Sequence, residues 1–286
     1  MFQLYRSIED NKNDTIISAN YLALIALSNL ILCGIAHKKK SLTLSGAFAT
    51  FIVGTFVFMN IGFGGWCILV VFFVSSTILT KIARPYSMRV ASGIQKKGGC
   101  RDYMQVIANG GPATICAILY GLTGNHVYLT FYACAVAESN SDTWAGEIGI
   151  LSNKPPVLIT SFKECEPGLS GGVTILGTFG GFCGSVVIAI SWFAIFYNYK
   201  ELNHFSESLI IIISGFVGCI MDSILGSTVQ GHYYDESTKQ ITEHPVRNGV
   251  KLPLNKGISF IDNDIVNILS NICSIIIAYA LEKCLQ

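Results

Sequence analysis

Charge is scarce in this chain. Charged residues make up 13% of its 286 residues, against about 25% in ordinary soluble domains, and hydrophobic residues make up 51%. That balance excludes a soluble globular domain and points to an integral membrane protein. Neither sign of charge dominates, since the net charge is +1, so nothing favours bulk attraction to nucleic acid. Histidine is rare, and the ten cysteines are scattered singly with no C-x-x-C pair, which argues against a zinc site or a disulfide framework. A free thiol within an apolar span behaves as a small buried group. The first fifteen residues carry Arg6, Glu9, Asp10, Lys12 and Asp14 rather than the short basic region and apolar core of a cleaved signal peptide, so the first helix is expected to be retained. No fixed-period repeat or inverted repeat is visible, which weakens a transporter reading.

What the chain has instead is long apolar runs. About 20 mostly apolar residues cross the hydrocarbon core, and eight such windows occur: 16–36, 42–60, 64–83, 103–123, 126–149, 171–197, 208–230 and 258–281. The expected fold is an all-α polytopic bundle of about eight spans, forming a single membrane domain over residues 1–286. Long loops near 84–102, 150–170 and 231–257 can fold over a site, and function is expected there. Fourteen Lys and Arg residues fall in the odd-numbered loops and four, Arg6, Lys12, Lys200 and Lys283, on the other side. By the positive-inside rule the odd-numbered loops face the cytoplasm and both termini face away. No targeting signal is evident, and an endomembrane such as the endoplasmic reticulum is the default expectation.

The fifth window carries Glu138, Asp142 and Glu147. An acid near a helix centre costs roughly 2.5–3.5 kcal/mol on insertion scales, so such acids usually face a cavity, a partner or a substrate. Glu138 and Asp142 are one turn apart and share a face. Glu147 lies about 140° further round and joins them only if the helix bends or ends near Gly146. With the topology set, polar groups of several helices gather at the same end. Arg101, Asp102, Gln105 and Asn109 open the fourth span, and Asp222, Ser223 and Gln230 close the seventh. Asp262, Asn263, Asp264 and Asn267 open the eighth, while Thr80 and Lys81 close the third. The pattern reads as one polar site, although Asn109 or Asn267 could equally bond a neighbouring helix. Crowded acids with oxygen-only ligands suit Mg²⁺ bridging one or two carboxylates and substrate phosphates. The turn containing Gly168, Ser170, Gly171, Gly172 and Thr174 precedes the sixth span, where free N–H groups and the helix dipole form a phosphate cradle. Close helix packing is the alternative explanation of those glycines. In the 84–102 loop only Arg101 is assigned beyond topology; Arg84, Arg89, Lys96 and Lys97 satisfy the positive-inside rule.

Seven segments carry a resemblance: KKKSLTLSGAFAT at 38–50, FFVSSTILTK at 72–81, GGCRDYMQVIANGG at 98–111, SDTWAGEIGIL at 141–151, PGLSGGVTILG at 167–177, GCIMDSILGSTVQ at 218–230 and FIDNDIVNILSN at 260–271. The chain resembles the integral membrane family that includes transmembrane protein 19 and the plant phytyl-phosphate kinase. The resemblance implies phosphoryl transfer from a nucleotide, CTP in the best-known relatives, to a prenyl monophosphate. Asp142, Glu147 and Asp222 are then expected at Mg²⁺ and the nucleotide phosphates, with Arg101 and Lys81 at phosphate charge. The 168–174 turn holds a phosphate; Gln105, Asn109, Ser223, Gln230, Asn263 and Asp264 orient substrates. Glu138, Asn140 and Gly146 depart from the family pattern, so Asp142 and Glu147 rank ahead of Glu138. Cytidylyl transfer to the same lipid phosphate, a transporter using the buried acids as an ion relay, and an inactive scaffold are the rival expectations.

Overall fold

A computed structural model describes residues 12–90, 100–199 and 203–285. Of the basic residues counted above, Arg6, Lys96, Lys97 and Lys200 lie outside these, and the side chains of Lys12 and Arg89 are not described. Among the described residues eight α-helices run in chain order: α1 Lys12–Lys38, α2 Leu44–Ile61, α3 Phe63–Val90, α4 Tyr103–Thr123, α5 Val127–Gly149, α6 Ile175–Phe196, α7 His204–Thr228 and α8 Asn263–Leu285. All except α1 and α5 contain membrane-length, apolar stretches within their described residues. The chain is a multi-pass helix bundle.

Local chemistry sets where helices begin. Thr43 caps α2 through its side chain, accepting from Gly46 N–H, and Thr174 caps α6 by accepting from Gly177 N–H. Asp102 and Gln105 form a reciprocal capping box at α4, satisfying two backbone donors that a helix start leaves open. The sixth span therefore starts at Ile175, four residues later than hydropathy places it, because residues 171–174 form a turn, short strand and cap.

The helix with the acids stands at the centre. Residues 129–141 of α5 are all buried, sheathed by protein rather than by lipid. Small residues on the neighbours make this close fit: Gly181 and Gly184 of α6 lie against Ser141, and Gly215 and Gly218 of α7 lie against Ala137 and Glu138. Small residues permit such backbone approach between membrane helices. Lower down, Tyr132, Ile188, Trp192 and Ile211 belong to the main apolar core.

The long loops are folded. β1 Val157–Leu158 pairs antiparallel with β2 Gly172–Val173. β3 His232–Asp235 lies between β4 Gln240–Thr242 and β7 Leu254–Lys256 in a three-stranded antiparallel sheet. Between them β5 Val246–Arg247 and β6 Val250–Lys251 form a hairpin turned by Asn248 and Gly249, both at positive φ, the pairing that two-residue hairpins favour. These strands cover the end of the bundle where the polar residues gather.

Candidate functional site

A cavity of about 1040 Å³ lies at that covered end, near the upper end of the range for small-molecule sites. Its walls come from the ends of α3, α5 and α7, the starts of α4, α6 and α8, and the folded loops. Asp142, Glu147, Asp222 and Arg101 line it, as do Gln105, Asn109, Ser223, Gln230, Asn263 and Asp264, and the turn residues Gly168, Ser170, Gly171, Gly172 and Thr174. One expected member is absent: Lys81 is exposed and outside the lining. Arg84, three residues on and assigned above only to topology, lines the cavity instead.

Arg101 is held by backbone as well as by position. Its N–H donates to Ser41 O at 3.0 Å, and its carbonyl accepts from Thr43 N–H at 3.0 Å. Gly46 permits this docking, because a Cβ there would lie 2.2 Å from Arg101 O. The guanidinium sits 5.7 Å from the centre of the Phe72 ring and is drawn electrostatically toward Glu147. Glu147 in turn accepts from Thr80 Oγ1 at 2.6 Å. The helix continues past Gly146 to Gly149, and Glu147, bonded to Thr80 of α3, lines the same cavity as Asp142.

Asp222 belongs to a polar chain that runs into the bundle. Ser270 Oγ lies 2.7 Å from Glu138 Oε1 and 3.0 Å from Asp222 Oδ2. Asn271 donates to the other Glu138 oxygen and to Ser139 Oγ at 3.0 Å. The Asn267 amide lies between Asn109 and Asp222, 2.9 and 3.0 Å away; since a carboxylate only accepts, the amide nitrogen takes the Asp222 side. Glu138 is thus the inner anchor of the network that positions Asp222. Its departure from the family pattern had set it aside, and no spacing rule in α5 alone could reveal partners on α8.

At the glycine-rich turn the geometry follows the packing reading. Gly171 has φ +82, and a Cβ there would lie 2.3 Å from Ser227 Cβ, so this glycine serves close packing against α7. Ser170 N–H donates to Glu243 at 2.9 Å, and its hydroxyl donates to the same oxygen. A carboxylate oxygen therefore occupies the two Ser170 donors of the cradle expected for a phosphate. Burial pushes the Glu243 carboxyl above the ordinary range, with the Ser170 hydrogen bonds opposing. Glu243 follows β4, in a loop with no helical periodicity to mark it. The Gln230 Oε1 atom, buried in the cavity wall, has no hydrogen-bond partner among the described residues.

Among the described residues no three His, Cys, Asp or Glu side chains converge as a metal-holding group, so Asp142, Glu147 and Asp222 are not assembled as a trio. Asp142 and Asp222 do face one cavity and repel each other electrostatically. Two such carboxylates are the donor set by which Mg²⁺ shared with phosphates is held. All ten cysteines are free.

The integral membrane protein family DUF92 matches residues 27–275. Protein PGR of Arabidopsis thaliana is 30% identical over 277 residues, covering 85% of this chain and 92% of that relative. An uncharacterized membrane protein of Methanocaldococcus jannaschii is 30% identical over 210 residues, 70% of this chain and 81% of its own. Protein VTE6, chloroplastic, also of Arabidopsis thaliana, is 22% identical over 276 residues, 93% and 71% of the two chains. No solved structure matches the chain.

Proposed function

The chain belongs to the DUF92 family of integral membrane proteins, and from that premise we propose that it is a nucleotide-dependent phosphotransferase. It converts a prenyl monophosphate to the diphosphate, with CTP the favoured donor. One observation carries the reading: two facing carboxylates, a backbone-pinned arginine and a glycine-rich turn from separate elements line a single cavity. Phosphoryl transfer needs positioning and charge neutralisation more than covalent participation by the protein.

In this reading the acceptor phosphate oxygen attacks the γ-phosphorus. A new P–O bond forms as the bond to the β–γ bridging oxygen breaks, and the nucleoside diphosphate leaves with the electron pair. The acceptor monophosphate is already nucleophilic near neutral pH, so no dedicated base is required. Asp142 and Asp222 would hold Mg²⁺, which supplies neutralisation of the phosphate charge. Arg101 and Arg84 bring positive charge to the same cavity, while Lys81 has no part. Gln105, Asn109, Ser223, Asn263 and Asp264 orient the substrates, and Gln230 accepts a hydrogen bond from one of them. Basic residues near the cavity favour placing this end on the cytoplasmic side.

The test uses purified protein with phytyl, farnesyl, geranylgeranyl and longer polyprenyl monophosphates, each against CTP, ATP, GTP and UTP. Label from the γ position alone entering the lipid is the expected result. Label from the α position would replace this reading by cytidylyl transfer, and no incorporation with any pair would overturn both.

A further inference from the structure

A second, smaller cavity lies beside the first, between α1, α2, α3 and α4. We infer that this cleft holds the first carbons of a lipid phosphate's apolar chain, an inference that rests on the phosphotransferase reading for the chemistry of the headgroup. The cleft encloses about 70 Å³, and its sides include Leu32, Val53, Leu69, Val70, Phe73 and Val106. Arg101, Gln105 and Asn109 line both this cleft and the polar cavity. A ligand that bridges the two must therefore be anionic at one end and apolar at the other.

The far wall supports the same ligand class. Trp66 Nε1 donates to Asn29 Oδ1 at 2.9 Å, and Asn29 Nδ2 donates to Thr55 Oγ1 at 3.1 Å. These polar atoms satisfy one another and offer little to a polar ligand. From Phe73 back to Trp66 the helix rises about 10 Å, so the cleft leads from Arg101 into the membrane-spanning part of the bundle. At this volume it takes only a few carbons, and the remainder of the chain lies outside it. The Arg101 guanidinium over Phe72 marks the junction, with the ion on the cavity side and the ring on the cleft side.

The experiment uses the full chain in nanodiscs without nucleotide, and a prenyl monophosphate carrying a diazirine in its first isoprene unit. Photolabel is expected on residues 66–73 of α3 and 106–110 of α4. Excess farnesyl phosphate should suppress it, and equal farnesol or inorganic phosphate should not. Label confined to α6, α7 and α8, or equal competition by farnesol, overturns the inference. Val70→Phe, which fills the cleft, should weaken farnesyl phosphate binding about tenfold and leave nucleotide binding unchanged; unaltered lipid binding by a folded variant also overturns it. Should Val70→Phe fail to fold, the labelling pattern of the natural chain decides alone. Cleft labelling without phosphoryl transfer would retain the cleft and sink the kinase, whereas transfer with label elsewhere would do the reverse.

Discussion

Asp142 and Asp222 approach the cavity from different helices, yet their support differs. Asp222 is held by Ser270 and Asn267, while Asp142 faces the cavity at the edge of the buried stretch of α5. Replacing Asp142 with Asn keeps shape and removes charge, so turnover should fall by about 100-fold or more, the scale of losing one preorganised electrostatic contact. A monodisperse peak in detergent should be retained, and near-normal turnover would refute the metal-holding role. Glu138 predicts the opposite balance. Glu138→Ala removes the acceptor that Ser270 and Asn271 share, leaving Ser270 with Asp222 and Asn271 with Ser139, at about 1 kcal/mol for each hydrogen bond lost. Its main effect should be a lowered thermal midpoint, and Glu138→Gln, which keeps one acceptor, should lose less. The sequence made Asp142 and Glu147 legible because they sit in a specific motif. It hid the role of Glu138 because that role is written on α8, 132 residues away, and it hid Glu243 because a lone acid in a polar loop has no periodicity.

At the scale of elements, the spans were legible and their covering was not. Apolar windows locate the bodies of all eight described helices, since a bilayer demands length and hydropathy together. Their ends shift with caps such as Thr174, which hydropathy does not register. The 231–257 loop reads as merely polar, although Asn248-Gly249 is a hairpin signal within it. Gly171→Ala tests how the turn is seated: the strained φ and the contact with Ser227 should destabilise it by about 2 kcal/mol or more, seen as faster hydrogen exchange across residues 168–174. In β3, burial, aided by Lys256, lowers the His232 pKa to about 4. The unfolded segment takes up a proton below about pH 6.5, whereas the folded one resists it until about pH 4. The sheet's stability from this group is thus complete above pH 6.5 and declines between 6.5 and 4. The protection factors of the β3 and β4 amides, relative to intrinsic exchange at the same pH, should fall up to about tenfold for each unit the pH is lowered in that window, and His232→Gln should flatten the dependence.

For the whole molecule, if all eight described helices cross the membrane, the start of α1 and the end of α8 are predicted on one face and the covered cavity on the other. Cysteine labelling checks this: in a background without accessible thiols, a probe at Lys154 and one at Lys283 should react from opposite sides of sealed vesicles. Labelling of both from the same side would remove one crossing from the fold. The cavity is lined by helix ends and folded loops, and the proposed phosphotransferase requires that it admit a nucleotide from one side and a membrane lipid from the other.

The protein sheath around α5 also bears on how the chain is made. An isolated α5 would carry Glu138 and Asp142 into hydrocarbon, each at roughly 2.5–3.5 kcal/mol, before Gly181 and Gly184 of α6 or Ser270 and Asn271 of α8 have been synthesised. Its stable integration is therefore expected to wait for later helices. Chains truncated after α5 should leave that segment accessible to glycosylation or protease at the membrane, and chains extended through α8 should protect it.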